Sequence, residues 1–340
     1  MASAATVALF GELSGTGGAA PTMAQRTAVF LKVFGGEVIT AFEKSSLMLD
    51  KHQIRTIASG KSVAFPSLGR VTSAYHVPGT ELVGQATVTE EIIITIDALL
   101  TSSVFIDTLD EMISHFDVRS IYSTEMGRQL ARNFDESVMM EVMRGAKANG
   151  VAAHNLDATS KVQYLGASYD GFSVANKAAA LATAIFAQAA IWDNQFVPQD
   201  GRYLALKPVD YNALIQNTTA INADWGGAGA YSDGTVFRIG GVNIIKAPQL
   251  TGVAEVDTSA LTTGVAAGAA VQVAHGAAGD TDVRAIMFTK DAVGTVKLQD
   301  IATESGYDIR RQGTLLVAKY AMGHGVLNGD GCAYFANDAS

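Results

Sequence analysis

The sequence is short of cysteine, of charge and of long apolar runs, and each shortage removes a class of answer. Cys332 is the only cysteine in 340 residues, so no intrachain disulfide can form and no cysteine-based metal site can be built. Charged residues make up 17% of the chain, against about 25% in an ordinary soluble domain. Either the core is large for its surface, or much of what would be surface is covered by other subunits. Acidic residues outnumber basic ones, 33 to 24, for a net charge of −9. That balance argues against binding nucleic acid or an anionic membrane through a basic face. The most apolar stretches, Ala28–Phe42 and Ala178–Trp192, are short of a membrane span, and the first contains Lys32 and Glu37. Thr6–Phe10 is too short, and has no basic segment before it, to read as a signal peptide. The expectation is a soluble protein, folded in a reducing compartment, with no membrane partner.

Catalytic patterns are equally scarce. The six histidines (His52, His76, His115, His154, His275, His324) are scattered and make no zinc spacing. Gly166-Ala167-Ser168-Tyr169-Asp170 misses the last glycine of a nucleophile elbow. Ser59-Gly60-Lys61-Ser62 resembles the tail of a phosphate loop, but Arg55 stands where its first glycine belongs. Asp107, Asp110 and Glu111 cluster just ahead of a long helix, where acids favour the N-terminus. Aromatics interleaved with basic residues, the mark of single-strand binding, are absent. The best enzyme lead is Gly15-Thr16-Gly17-Gly18-Ala19-Ala20, a G-x-G-x-x-A match with Glu37 22 residues after its first glycine. A dinucleotide site needs a strand running straight into that glycine, and Val7–Phe10 stops short of it. A nucleotide-binding enzyme using Gly15–Ala20 is therefore the alternative, and a loose terminal arm over residues 1–26 is the reading preferred. No catalytic residue, cofactor or metal is expected.

What the chain does have is one long helical stretch, Asp117–Gly145, with Asp117 placed as N-cap and Gly145 as the residue after the helix. At about 1.5 Å per residue it would run roughly 43 Å. Val118, Tyr122, Met126, Leu130, Phe134, Val138 and Val142 recur every four positions. A four-residue step overshoots one turn by about 40°, so this stripe winds round the helix. Tyr122, Met126, Leu130, Phe134 and Val138 are its expected core residues, and Met139, Met140 and Met143 make the far end apolar almost all round.

Before this spine, Ala28–Phe42 reads as a helix that Gly35-Gly36 should bend. Val63 and Phe65 then lead to Pro66 and Gly69, and Val88, Ile92, Ile94 and Ile96 alternate with polar residues on a return strand. Together they predict a long hairpin with a turn region near Pro78-Gly79, too long for its tip to cover. After the spine, Ser173–Asn194 and Val209–Asn217 read as helices, the second opened by Pro208. Arg202–Leu206, Val242–Lys246, Val283–Phe288, Thr295–Leu298 and Leu315–Tyr320 read as strands, and 251–280 as a surface loop or insertion. Helices and strands without a regular βαβ repeat predict α+β layers, with a boundary near 150–170 and a return to the spine domain after about residue 290.

Several blocks, taken in order, resemble the major capsid (head) protein of T-seven-like short-tailed double-stranded-DNA bacteriophages. They are Phe30-Leu31-Lys32-Val33-Phe34-Gly35-Gly36-Glu37-Val38, Ser59-Gly60-Lys61-Ser62, Phe65-Pro66, Leu68-Gly69-Arg70 and Ile94-Thr95-Ile96-Asp97. Further on come Asp117-Val118-Arg119-Ser120, Ala292-Val293-Gly294-Thr295-Val296-Lys297-Leu298 and Ala318-Lys319-Tyr320-Ala321-Met322-Gly323-His324-Gly325. The resemblance implies the tailed-phage capsid fold of the Hong Kong 97 type. Its parts would be an N-terminal arm (1–55), an E-loop hairpin (56–100), a peripheral domain (101–164 and 291–340) on the spine helix, and an axial domain (165–290). It further implies a structural protein that forms pentamers and hexamers of an icosahedral head around double-stranded DNA, without specific DNA binding. Lys61, Phe65, Pro66, Leu68 and Arg70 would lie at the subunit interface. The implied partners are further copies of the chain, a separate scaffolding protein, a portal protein and, optionally, a decoration protein. The implied setting is the virion, assembled in the bacterial host cytoplasm.

Overall fold

In the computed structural model the described residues are 23–68, 89–96, 99–107, 118–147, 161–166, 169–216, 238–251 and 283–337, with isolated positions between 71 and 84 and Leu109. The motif Gly15–Ala20, the positions Gly69, Arg70, Asp117 and Ser168, and the stretch 252–280 lie outside them. The chain divides into two units, and α2 (Val118–Lys147), β10 (Val293–Asp308) and β11 (Gly313–Val326) are elements that contribute residues to both.

The first unit takes the chain up to Ser46, Leu99–Ala131 and Gln299–Tyr320. It holds α1 (Met23–Ser45) and β4 (Leu99–Asp107), with β4 beside β11 and β11 beside β10. Residues 23–26, expected in a loose arm, are already helical. Helix α1 also passes unbroken through Gly35-Gly36, where the sequence suggested a bend. A Cβ on Gly35 would sit 2.8 Å from Thr303 Oγ1, so this glycine serves a close approach and the helix tolerates its weak propensity. β10 and β11 are far longer than the apolar runs that announced them. Beyond Leu298 the sequence of β10 is largely polar and half exposed, so hydrophobic alternation could mark only its buried beginning.

The second unit takes Leu47–Ala98, Arg132–Leu298 and Ala321–Ser340. Its centre is a six-stranded sheet in the order β5-β12-β9-β6-β8-β7, made from Val162–Tyr164, Cys332–Ala336, Val283–Thr289, Arg202–Leu206, Val242–Lys246 and Arg238–Ile239. β12 runs parallel to β5 and antiparallel to β9, and β6 runs antiparallel to β9 and parallel to β8. All seven residues of β9 are buried, as a central strand requires. Alternate residues Leu204 and Leu206, Ala285 and Met287, Ala333 and Phe335 join one core cluster, the period-two signature of one sheet face. Helices α3 (Val174–Asn194) and α4 (Pro208–Ile215) cover that face with Leu181, Ile185, Trp192, Tyr211 and Leu214. Among the described residues α3 is long and apolar enough to cross a membrane by composition, and it lays one face, with these side chains, on the sheet. The sheet draws β12 from beyond the expected boundary near residue 290. β12 is a buried five-residue strand, which the sequence reading had not marked.

Two points on the spine need correcting. Gly145, expected just past the helix, lies inside it, because α2 continues to Lys147. A Cβ there would meet Cys332 Sγ at 2.8 Å and Val326 Cγ1 at 2.9 Å, so glycine marks tight packing and not termination. Tyr122, expected in the core, is 39% exposed, whereas Met126, Leu130, Phe134 and Val138 are buried. The winding of the stripe accounts for the tyrosine. Three four-residue steps separate Tyr122 from Phe134, a drift of about 120° that carries the tyrosine off the buried face. At the other end Val142 stays buried because the helix there is enclosed on every side.

Candidate assembly surfaces

The residues proposed for an interface cluster on the hairpin β2 (Ser62–Leu68) and β3 (Thr89–Thr95), a two-stranded antiparallel sheet. Its register pairs Val63 with Ile94 and Phe65 with Ile92, while Ala64 opposes Ile93 and Pro66 opposes Glu91. The two faces therefore differ. Val63 and Phe65 pack with Ile57 and Leu327 around Ile94, Ile96, Val296 and Ala321, and the Arg55 guanidinium stacks 5.6 Å from the Phe65 ring centre. Phe65, which the sequence reading placed at the subunit interface, packs against its own unit's core while staying partly exposed. Period two fixed that choice, since Phe65 shares a face with the buried isoleucines. The opposite face carries Ile93, 60% exposed, with exposed Pro66 and Glu91. Lys61 is exposed and accepts from Ile96 N through its carbonyl, which closes the hairpin base. Leu68 ends β2; its side chain and Arg70 lie outside what is described.

The structure also brings together residues that sequence spacing left apart. His52, Thr295 and His324 form a hydrogen-bonded chain, His52 Nε2 to Thr295 Oγ1 at 2.7 Å and Thr295 Oγ1 to His324 Nδ1 at 2.9 Å. His52 Nδ1 lies 2.6 Å from the Met48 carbonyl. A carbonyl only accepts, so in the neutral ring Nδ1 carries the proton and Nε2 accepts from the threonine hydroxyl. The threonine oxygen then accepts from His324 Nδ1–H, which gives the chain one direction. Burial pushes His52 down to about 4 and His324 down to about 3. Both rings pack on Phe134, with centroids 5.7 and 5.3 Å away. The next residue, Asp135, is buried and accepts from the backbone N–H of Leu47 at 2.9 Å and of Met48 at 3.0 Å. Phe134 and Asp135 therefore hold the segment 47–52 against the spine. No spacing rule reveals this, because its members are 243 and 29 residues apart.

The other polar clusters among the described residues are engaged in pairing within the fold. Glu37, the acid of the nucleotide reading, sits mid-helix and accepts from Ser120 and Ser123. It lines a cavity of about 540 Å³ with Lys44 and Arg128, but no strand precedes α1 among the described residues. Asp210 is buried, accepts from the Tyr169 hydroxyl at 3.0 Å and faces Arg284 at 4.0 Å; burial raises its pKa. Lys161, fully buried beside Asp330 at 3.8 Å, has its pKa lowered by the same desolvation. Both pairs lie within the second unit and tie its chain segments together. Among the described residues no group of histidine, cysteine, aspartate and glutamate could hold a metal ion.

Comparison with known proteins agrees with a shell protein. Residues 64–334 match the Gp10A-like major capsid protein family. The major capsid protein of Escherichia phage T7 is 31% identical over 310 residues, 89% of this chain and 90% of that one. The major capsid protein of Enterobacteria phage T3 is 32% identical over 323 residues, 91% and 92% of the two chains. Among solved structures, the capsid of Cyanophage P-SCSP1u superposes with a TM-score of 0.72 at 35% identity, covering 87% of this chain and 89% of that one. The two-unit α+β architecture is thus the Hong Kong 97-type fold of tailed-phage capsids. The chain belongs to the Gp10A-like family of major capsid proteins, and it is a structural, non-enzymatic subunit that associates with its own copies in the shell of a phage head.

Proposed function

We propose that the chain closes into pentamers and hexamers of an icosahedral head enclosing double-stranded DNA, in the host cytoplasm, with a separate scaffolding protein and a portal and, optionally, a decoration protein. In this reading 1–55 is the arm, 56–100 the E-loop, 101–164 with 291–340 the peripheral domain and 165–290 the axial domain. The observation that carries it is the outer face of the β2–β3 hairpin. Both strands of a two-stranded sheet are edges, and such a hairpin is marginal in water unless something packs on it. One face is filled by its own unit. The other presents Ile93 beside Pro66, whose missing N–H blunts edge pairing without removing the apolar contact. A neighbouring subunit laid on that face would bury Ile93. The net charge of −9 suits a container, since a lining that gripped phosphates would hold the DNA at the wall.

The test is Ile93→Asp beside Phe65→Asp in the chain expressed with its head-assembly partners. Ile93→Asp keeps the wild-type circular dichroism but sediments as small oligomers, because a charge buried at a repeated contact is strongly disfavoured. Phe65→Asp lowers stability itself. Full-size shells of Ile93→Asp at wild-type yield would remove the hairpin's outer face from assembly.

A further inference from the structure

At the C-terminal end of α3 two local rules are broken together. Val197 N donates to the Trp192 carbonyl at 3.0 Å, and Phe196 N to the Asp193 carbonyl at 3.1 Å. That hydrogen-bond pair is a Schellman ending with Phe196 at the left-handed position, where glycine or asparagine is expected. Phe196 has φ 58°, a conformation in which its Cβ crowds the following carbonyl. The ring is left 85% exposed. Backbone strain and an aromatic ring in water both oppose folding here, and so little burial offsets neither.

The surroundings hold this arrangement rigid. Arg202, 2% exposed, donates from Nη2 to the Val197 carbonyl at 2.7 Å and to Asp193 Oδ1 at 2.8 Å, and from Nε to the Pro198 carbonyl at 2.9 Å. Its guanidinium also lies 5.5 Å from the Trp192 ring centre. A buried arginine thus clamps residues on both sides of Phe196 and fixes the backbone from which the ring projects. A large, rigid, solvent-facing aromatic is the form of an interface anchor, since little entropy is lost when it docks.

Resting on the shell reading, we propose that Phe196 is an assembly anchor that inserts into a socket on a second copy of this chain. The local charge selects a protein partner over the packaged DNA. Asp193, three residues before Phe196, stays about half exposed in its pair with Arg202, and Asp200, four residues after it, is exposed; exposed carboxylates on both sides of the ring in sequence disfavour a phosphate partner. The contact is heterologous: the knob on one flank meets a different surface of the neighbour, as rings of identical subunits require. The socket is apolar, with an amide or cationic rim that complements those carboxylates.

Phe196→Gly separates anchor from fold by opposite signs. Glycine relieves the left-handed strain, so the melting temperature of the unassembled subunit rises by about 2 °C. The concentration needed for shell formation rises by about tenfold or more, as loss of a hot-spot aromatic does. Phe196→Asn, polar but tolerant of the same backbone, gives the same loss of assembly. Glycine-variant shells at wild-type concentration would overturn the anchor, and so would an asparagine variant that assembles normally, since backbone stiffness would then be the cause. A melting temperature that falls with glycine would place the ring in the subunit's own fold and overturn it as well. The wild-type chain, expressed and sedimented in parallel, reports on the shell reading itself; absence of wild-type shells would defeat that reading and not this contact alone.

Discussion

Phe134→Ala tests the construction of the spine most directly. The ring is fully buried between His52 and His324, and both imidazoles are fixed by their bonds to Thr295. A phenyl ring of this kind removes roughly 150–250 Å² from water, which at about 25 cal/mol per Å² is an upper figure of about 4–6 kcal/mol. Measured Phe→Ala changes in cores run about 3–5 kcal/mol, the spread reflecting how far a site can collapse. Here neither flanking ring can slide inward without breaking a buried hydrogen bond, so the expected loss lies in the upper half, about 4–5 kcal/mol. The control is Tyr122→Ala, on the same four-residue stripe but 39% exposed, with a loss under about 1 kcal/mol. Urea unfolding followed by tryptophan fluorescence measures the Phe134 loss, since Trp192 is buried in the unit that holds Phe134, and circular dichroism follows Tyr122→Ala, whose residue belongs to the other unit. Equal losses in the two variants, or a loss under about 1.5 kcal/mol for Phe134→Ala, would refute the winding-stripe account and the burial it assigns.

The histidine chain predicts a direction of pH dependence. Both folded pKa values lie below the usual 6.5, at about 4 and about 3, so the unfolded chain binds protons first. The stability of the pair is complete above about pH 6.5 and falls as the pH drops towards 4 and then 3, by up to about 1.4 kcal/mol per pH unit for each histidine. Lys297 and Asp50 face His52 with opposite effects, and His52 itself disfavours charge on His324. Unfolding measured between pH 7 and 4.5 should show this slope, and His52→Gln should flatten it; an unchanged slope in that variant defeats the assignment. Cys332 is buried, with its thiol pushed up to about 12 by desolvation, so Ellman's reagent at pH 8 should find no thiol in the native subunit and one after denaturation. Rapid labelling of native protein would contradict its burial.

How much was legible in advance follows from the range over which each signal acts. Composition alone removed intrachain disulfides and cysteine-based metal sites, because a single cysteine can make neither, and the net charge of −9 argued against a basic nucleic-acid face. Periodicity located the spine, α3, α4 and most of the buried strands, though not β12, since burial on one face writes a period of 3.6 or 2 directly into sequence. The ordered blocks from Phe30 to Gly325 carried the resemblance to a capsid family. Tertiary structure decided what periodicity leaves degenerate. Phe65 and Ile93 are both apolar on one hairpin, and only strand register turns one towards its own unit's core and the other to solvent. Gly145 satisfies a stop signal, but close contact with Cys332 and Val326, far away in sequence, uses it inside the helix. The His52–Thr295–His324 chain and the display of Phe196 by Arg202 depend on distances that exist only once the strands have paired. Local sequence rules describe the segment that bears them, whereas burial, register and side-chain contact belong to whatever the fold lays against it.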